Sequence, residues 1–561
     1  MSRCISKAGA ALVLLSVIAA GLEATGAGSP LRAQGGDPEQ AAVARAAAGM
    51  ALREVGPAVM GGRIADIEVS PADEAAWFVA VGSGGLWRTT NAGATWTPVF
   101  DDQGSYSIGD VALDPNNPDV VWVGTGENVS GRHVAWGDGV YLSRDAGRTW
   151  ENMGLRSSEH VGKILVDPRD GNVVFVAAEG PLWSSGGDRG LFRTTDGGTS
   201  WTPVLKVDED TGVTDVEFDP EDPDVLYAAT FQRRRHVWGY LAGGPGSGIY
   251  KSTDGGDSWR KLHTGLPSGD MGKIGLAVTP ADPSLVYATI EAGDGEQGFY
   301  RSRDKGESWE RRNGYISGGT GPHYYQEIYA SPTNPDLVYQ MDVFVQVTRD
   351  GGATFDNLGT GREAHSDNHA LWIDEENGRH LLVGTDAGLY ESFDEGVTWR
   401  HFPNMPVSQF YKVALDNAEP FFNILGGAQD LGTLHGPSRT SNVEGVRNQD
   451  WYVPMGADGY GVAMDPRDPD IMYLETQVGN LYRVDRRSEE ALSIQPQAAP
   501  GEEPERWNWD SPVLISPHNP DRLYFASQRL WRSEDRGDSW APVSEDLTRG
   551  RNRYEMEFLG R

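Results

Sequence analysis

The sequence predicts an all-β fold, a β-propeller of four-stranded blades, and three observations carry that prediction. An eight-residue turn pattern recurs along most of the chain. A second pattern, an Asp/Ser-Pro turn followed by Pro-Asp and a short apolar strand, recurs upstream of it. Gly (72 residues) and Trp (18) are both abundant in the 561 residues, as expected of many tight turns each pinned by a ring. A chain of this length is too long for one ordinary core, so several domains or a repeat array is required.

The turn pattern reads Ser/Thr, any, Asp, any, Gly, any, Thr/Ser, aromatic. It occupies Ser143–Trp150, Thr194–Trp201, Ser252–Trp259, Ser302–Trp309, Thr348–Phe355, Ser392–Trp399 and Ser533–Trp540. A further copy, Thr89–Trp96, carries Asn91 in place of Asp. From Asn91 to Asp394 the copies lie 44 to 58 residues apart, the length of one four-stranded blade. Each part has a physical task. The carboxylate accepts hydrogen bonds from its own turn, the glycine permits a positive φ, and the aromatic covers the hairpin. A residue repeated seven times in this way is structural rather than catalytic.

The second pattern stands at Asp114-Pro115, Asp219-Pro220 and Ser331-Pro332, and continues at Asp465-Pro466 and Ser516-Pro517. Together the patterns predict about ten blade units, two of which, between Val413 and Arg486, lack the turn motif. In the second unit the predicted strands are A at Ile108–Leu113, B at Val120–Gly124, C at Gly139–Ser143 and D after Trp150. The motif forms the C-to-D turn, so the B–C and D–A loops share the other face. That face carries the long irregular loops and is where a site is expected.

Arg3 and Lys7 precede an apolar run from Ala8 to Leu22, followed by small residues. This order predicts a secretory signal peptide over 1–33 and a secreted or periplasmic protein, with no membrane span after its removal. Residues 34–50 read as a linker, 51–405 as a first propeller and 406–561 as further blades of a partial second one. Cys4 is the only cysteine, so disulfides and thiolate chemistry are excluded from the mature chain. With 48 Lys and Arg against 81 Asp and Glu the formal net charge is −33, which disfavours nucleic acid and anionic lipid as partners.

The end of strand B is polar in most units, which nominates Glu127, Glu179, Glu291 and Asp342 as catalytic carboxylates. The loops of the same face nominate Arg132, His133, Trp136, Arg233, Arg234, Trp238, His323, Tyr324, Gln429, Asp430 and Trp507 as ligand-binding residues. Rings among carboxylates suit carbohydrate, whose apolar faces stack while its hydroxyls need hydrogen bonds. His365, Asp367 and His369 alternate along an expected strand. With Asp386 near, they offer nitrogen and oxygen ligands to a divalent metal, although no cofactor is required by anything in the sequence.

The boxes and the Pro-Asp pattern resemble those of the Asp-box (BNR-repeat) propellers, which include sortilin, the two-propeller xyloglucanases and sialidases. Val55-Gly-Pro57, Gly61-Gly-Arg63, the segments His365–Trp372 and Gly426–Asp430, and Ser516–Pro520 are most similar to bacterial secreted sortilin-like proteins described as BNR-repeat glycosyl hydrolases. The resemblance runs from about residue 51 to 548. It implies either one ring of about ten blades, as in sortilin, or a seven-bladed ring followed by part of a second; the latter is favoured. Because Leu52–Gly56 resembles a lone outer strand and the chain stops soon after a finished blade, a longer parent protein is expected. In the xyloglucanases a catalytic Asp precedes the Gly-Gly of the first blade; here Gly82 stands at that place. Their other catalytic Asp lies in the second ring, most of which is missing here. No Phe/Tyr-Arg-Ile-Pro motif marks a sialidase. The function expected is therefore a binding propeller for a polysaccharide, peptide or protein, with a glycoside hydrolase of β-glucan or xyloglucan-like polysaccharide as the alternative.

Overall fold

In a computed structural model the described residues are 53–552 save positions 60, 133, 238, 318–320, 326 and 360–362, together with Val43, Ala46 and Glu555. The expected signal segment lies outside them, as does all of the linker but Val43 and Ala46, which are helical. Among the described residues no helix is long and apolar enough to cross a membrane.

From Val55 onward the described residues form one compact unit in which ten antiparallel sheets follow one another along the chain, each a simple meander of four strands. They span 64–98, 108–154, 161–205, 211–261, 271–313, 328–357, 368–401, 410–455, 462–493 and 513–542. The fourth carries an extra strand, Gly239–Ala242, paired with an extension of Leu226–His236.

The inner strands of most sheets are buried on both faces, which explains their continuous apolar runs, whereas outer strands such as Thr97–Pro98 and Glu490–Ser493 are exposed. In the strand Asp73–Val81, Trp77, Val79 and Val81 join one core while Phe78 and Ala80 join the next, the alternation a pleated strand imposes. Seven such cores link sheets one to seven in succession, and the last joins sheet seven back to sheet one through Ala370, Leu382 and Leu389 against Ile67 and Val79. The circuit of contacts thus closes after seven sheets. Sheets eight, nine and ten continue through Leu425 against Met472 and through Tyr473 against Phe525.

The turn motif behaves as its composition requires. Asp145 Oδ1 accepts from Ser143 Oγ at 2.9 Å and from the Thr149 amide at 2.8 Å, and Oδ2 accepts from Thr149 Oγ1 at 2.7 Å. The same bonds recur around Asp350, whose carboxyl they hold at about 2. Ala146 and Gly147 both have positive φ, 57° and 83°, which is why glycine is written into the motif. The ring at its end reaches the preceding sheet: Trp150 Nε1 donates to Val99 O at 2.6 Å and Trp201 Nε1 to Met153 O at 2.8 Å.

One expectation is corrected. Residues 53–58 form no strand. Gly56 has φ +75° and Pro57 has no amide to donate. Val55 instead packs beside Trp451 of the eighth sheet and accepts its indole N–H at 2.8 Å.

Candidate functional site

The site is organised by one buried arginine. Arg63 directly precedes the strand Ile64–Ser70 and is 4% exposed. Its Nε donates to Asp386 Oδ1 at 2.7 Å and its Nη1 to Glu127 Oε1 at 3.0 Å. Nη2 donates to the Tyr324 hydroxyl, and the guanidinium lies 4.9 Å from that ring's centroid. One side chain thereby ties sheets one, two and seven to the 321–325 loop. His369 Nε2 adds a contact to Asp386 Oδ1 at 2.9 Å. Burial opposes the Asp386 charge, but Arg63 and His369 outweigh it and hold the carboxyl well below the usual range. For Glu127 burial wins over Arg63 and raises the pKa.

Beside this network opens a cleft of about 400 Å3. Its acidic side holds Asp367, Asp386, Asp430 and Asp458, flanked by Tyr411, Tyr460 and Trp509; Arg132, Arg235, His323 and Tyr324 also line it. Asp430 sits in the turn between the strands Asn423–Ala428 and Gly432–Pro437, at φ +60°, a conformation Asp tolerates better than most side chains. Its amide donates to Asp458 Oδ1 at 2.9 Å, and the Tyr460 hydroxyl donates to Asp458 Oδ2 at 3.0 Å. Burial, then the neighbouring carboxylates Asp386 and Asp458, push the Asp430 carboxyl up to about 9. Asp430 therefore carries a proton at neutral pH beside the ionised Asp386. Tyr411 and Tyr460 stack 5.1 Å apart, and Trp509 is 49% exposed, so flat apolar surface adjoins the acid.

Of the residues nominated from sequence, Arg132, His323, Tyr324, Gln429 and Asp430 line this cleft. The four nominated catalytic carboxylates do not. Glu127 is wholly buried on Arg63. Glu179 is buried on Arg233 at 2.5 Å, which also accounts for Arg233. Glu291 borders a separate glycine-floored depression. Asp342 is 3% exposed, with Oδ1 accepting from the Val343 amide at 2.7 Å and Oδ2 from the Tyr315 hydroxyl. Strand ends that converge on one face bury carboxylates against arginines whose positions the repeat pattern does not reveal.

Arg234 pairs with Asp210 at 3.6 Å, and Trp136 is 70% exposed without lining the cleft. Trp507 stacks on Phe525 at 4.9 Å as part of the core between sheets nine and ten. His133 and Trp238 lie outside the described residues.

The structure does not bring the three residues of the expected metal triad to one face. Asp367 precedes the strand Asn368–Ile373 and has φ +64°, so the alternation that would aim all three side chains one way is broken. His365 Nδ1 bonds to Ser366 O at 2.9 Å, Asp367 accepts from Tyr325 and Ser366, and His369 turns to Asp386. Among the described residues no three acidic, histidine or cysteine side chains cluster as metal ligands.

The sequence reading missed Arg63, Asp458, Tyr411, Tyr460 and Arg235 as site residues. The signal for Arg63 was its place after Gly61-Gly62. A Cβ at Gly61 would lie 2.8 Å from Gly388 Cα, so the backbone is threaded close beside sheet seven there. Gly82 carries a related signal: a Cβ on it would fall 2.2 Å from Glu127 Oε1, so the Glu127 carboxylate fills the space a side chain at 82 would need.

Fold and cleft together define an Asp-box β-propeller with a carboxyl pair beside aromatic surface. Residues 138–294 match the Sortilin-Vps10 family (sortilin, neurotensin receptor 3). A xyloglucanase of Paenibacillus sp is 26% identical over 456 residues, covering 74% of this chain and 37% of that protein. A xyloglucanase of Acetivibrio thermocellus is 24% identical over 325 residues, 49% of this chain and 36% of its own. The chain thus spans little more than a third of the length of these relatives. Among solved structures, the GH74 xyloglucanase from Xanthomonas campestris superposes with a TM-score of 0.61 at 18% identity, covering 88% of this chain and 75% of that one. The GH74 enzyme of Niastella koreensis gives 0.57. The likeness to Asp-box propellers read from the motifs is thereby borne out, and the fold is that of these enzymes.

Proposed function

We propose that this protein is an exported glycoside hydrolase, a seven-bladed ring followed by three further blades, acting on a polysaccharide in the cleft at Asp430. The observation that carries the reading is the protonated Asp430 carboxyl set against the ionised Asp386. A general acid must hold its proton at working pH and release it to the leaving oxygen. Asp430 protonates the glycosidic oxygen as the C–O bond breaks. Asp367, on the same cleft, takes a proton from the water whose oxygen bonds to the anomeric carbon. Trp509 and the Tyr411–Tyr460 stack offer the faces on which sugar rings lie. The xyloglucanase relatives support this hydrolytic reading over binding alone. The lysine and arginine before the apolar run near residue 8 support export.

The test is reducing-sugar release from a panel of β-glucans, xyloglucan among them, by wild type, Asp430→Asn and Asp367→Asn. Each substitution is expected to lower kcat by about 10²–10⁴ with the fold intact. Undiminished release by Asp430→Asn would refute the assignment. A second reading is favoured by Gly82, where the resemblance places an acid and the structure places Glu127 already engaged by Arg63. If no polymer is cleaved but one is retained by the folded protein, the chain is a binding propeller.

A further inference from the structure

The cleft has a second chemical feature that acid catalysis does not use. Arg132 and Arg235 line it, and neither makes an ion pair among the described residues, in a chain with a net charge of −33. Lys273, Arg233 and Arg63, by contrast, each hold a carboxylate within 3.0 Å.

Arg235 is also held rigidly. It stands directly opposite Tyr240 in the hairpin register, and its guanidinium lies 4.3 Å from that ring's centroid. Its Nε donates to Ser130 O at 2.7 Å, and its amide to Leu182 O at 2.8 Å. The Nη groups meet no acceptor among the described residues. Burial and the like charges of Arg132 and Arg233 make protonation of Arg235 harder than usual, so the two cleft arginines stand together at an electrostatic cost that no direct ion pair among the described residues offsets. His323, beside them, is pushed down to about 4 by burial and by Arg235 and Lys273; it is neutral at pH 7 and offers a ligand its ring nitrogens without more repulsion. A planar donor fork, pre-oriented and uncompensated, matches a carboxylate bidentately.

We propose that the cleft binds an anionic glycan, a polysaccharide carrying carboxylates of the uronic acid kind, with Arg235 clasping the carboxylate and Arg132 supplying the second positive charge. This rests on the reading of the cleft as a glycan site and names its substrate class. The anion lies on the arginine side and the scissile bond beside Asp430, so one sugar chain meets both.

The experiment compares binding of a glucuronic-acid-bearing xylan with the same polymer after reduction of its carboxyls to alcohols, by calorimetry on the full chain. The native polymer is expected to bind at least tenfold more tightly, with the ratio falling as salt rises from 0.05 to 0.5 M, on the order expected from charge screening. Arg235→Gln should bring the ratio close to one, and Arg235→Lys should leave it in between, because charge survives without the fork. A ratio near one for wild type, or a ratio untouched in a folded Arg235→Gln, would overturn the proposal. Tighter binding of a charge-matched sulfated glucan would overturn the carboxylate assignment, and stronger competition by polyglutamate would move the cleft to acidic protein ligands. The two readings separate cleanly. Asp430→Asn should abolish cleavage and keep the ratio, so loss of one result does not entail loss of the other.

Discussion

Replacing Arg63 by Met removes a cation shared by three sheets. The side chain is 4% exposed and contacts Asp386 at 2.7 Å, Glu127 at 3.0 Å and the Tyr324 hydroxyl and ring. Methionine conserves much of the apolar stem, so the loss is chiefly electrostatic. Breaking one buried pair costs about 3–5 kcal/mol because a charge is stranded without water. Two carboxylates are stranded here, but Asp386 keeps His369 at 2.9 Å and Glu127 can take up a proton. A total near 4 kcal/mol follows, on the order of one buried pair. The assay is urea unfolding followed by tryptophan fluorescence, on the single variant and on Arg63→Met/Glu127→Gln. The double variant should recover about 1–3 kcal/mol, since a neutral amide in that pocket avoids the penalty of the buried charge. The pH dependence has a definite sign. The folded pKa of Asp386 lies below its unfolded value, so its contribution is present above the unfolded value and is lost as pH falls. The gap between wild type and variant should therefore narrow in acid. A single-variant cost below about 1 kcal/mol, against the 3–5 expected of a buried pair, or a double variant no more stable than the single, would refute the view that Arg63 is the electrostatic keystone.

Three further outcomes are expected. Gly82→Ala places a methyl 2.2 Å from Glu127 Oε1 and should cost about 1–3 kcal/mol by overpacking; in a Glu127→Ala background the same substitution should cost much less, which thermal unfolding of the two single variants and the double will show. Asp350→Ala removes the acceptor for the amides of Ala353 and Thr354 and the hydroxyls of Thr348 and Thr354. By analogy with a lost helix cap it should cost about 1 kcal/mol in urea unfolding. On the proposed mechanism, in which Asp430 is the acid with its proton held up to about 9 and Asp367 the base, the pH profile of polysaccharide cleavage should be level from neutral pH up to that value and fall tenfold per unit above it; a profile still level at pH 10 would exclude Asp430 as the acid.

The particular residues show what was readable and what was not. Ser143, Asp145, Gly147 and Thr149 act within a span of seven residues, so their roles are legible from spacing: the turn they make is local, and its hydrogen bonds form wherever the segment stands. The alternating cores of Trp77 and Phe78 follow from the strand period in the same way. Gln429 and Asp430 were found because they interrupt a strand pattern with a turn, and Arg132 and His323 because they lie on long loops. The interruption alone did not reveal that Asp430 keeps a proton. That depends on Asp386, 44 positions away in sequence, and on Asp458, which stands in a different loop. Trp507 and Glu127 illustrate the reverse error. Each had the chemistry of a site residue, and each is consumed by a neighbour, Phe525 or Arg63, that local pattern could not place. His365, Asp367 and His369 failed for a backbone reason: one positive φ at Asp367 ends the strand periodicity on which a shared face depends.

The sequence by itself determined the all-β class, the ten repeats, their turn chemistry and the face on which loops collect, because these rest on contacts between residues close in the chain. Only the tertiary structure decided which sheet packs back on the first and which carboxylates Arg63 neutralises. It alone also set Asp430 against Asp386 and left Arg235 without an acidic partner among the described residues. Those outcomes are set by burial and by charges brought together across hundreds of residues, and electrostatic energies depend on distance and surroundings that no local pattern encodes.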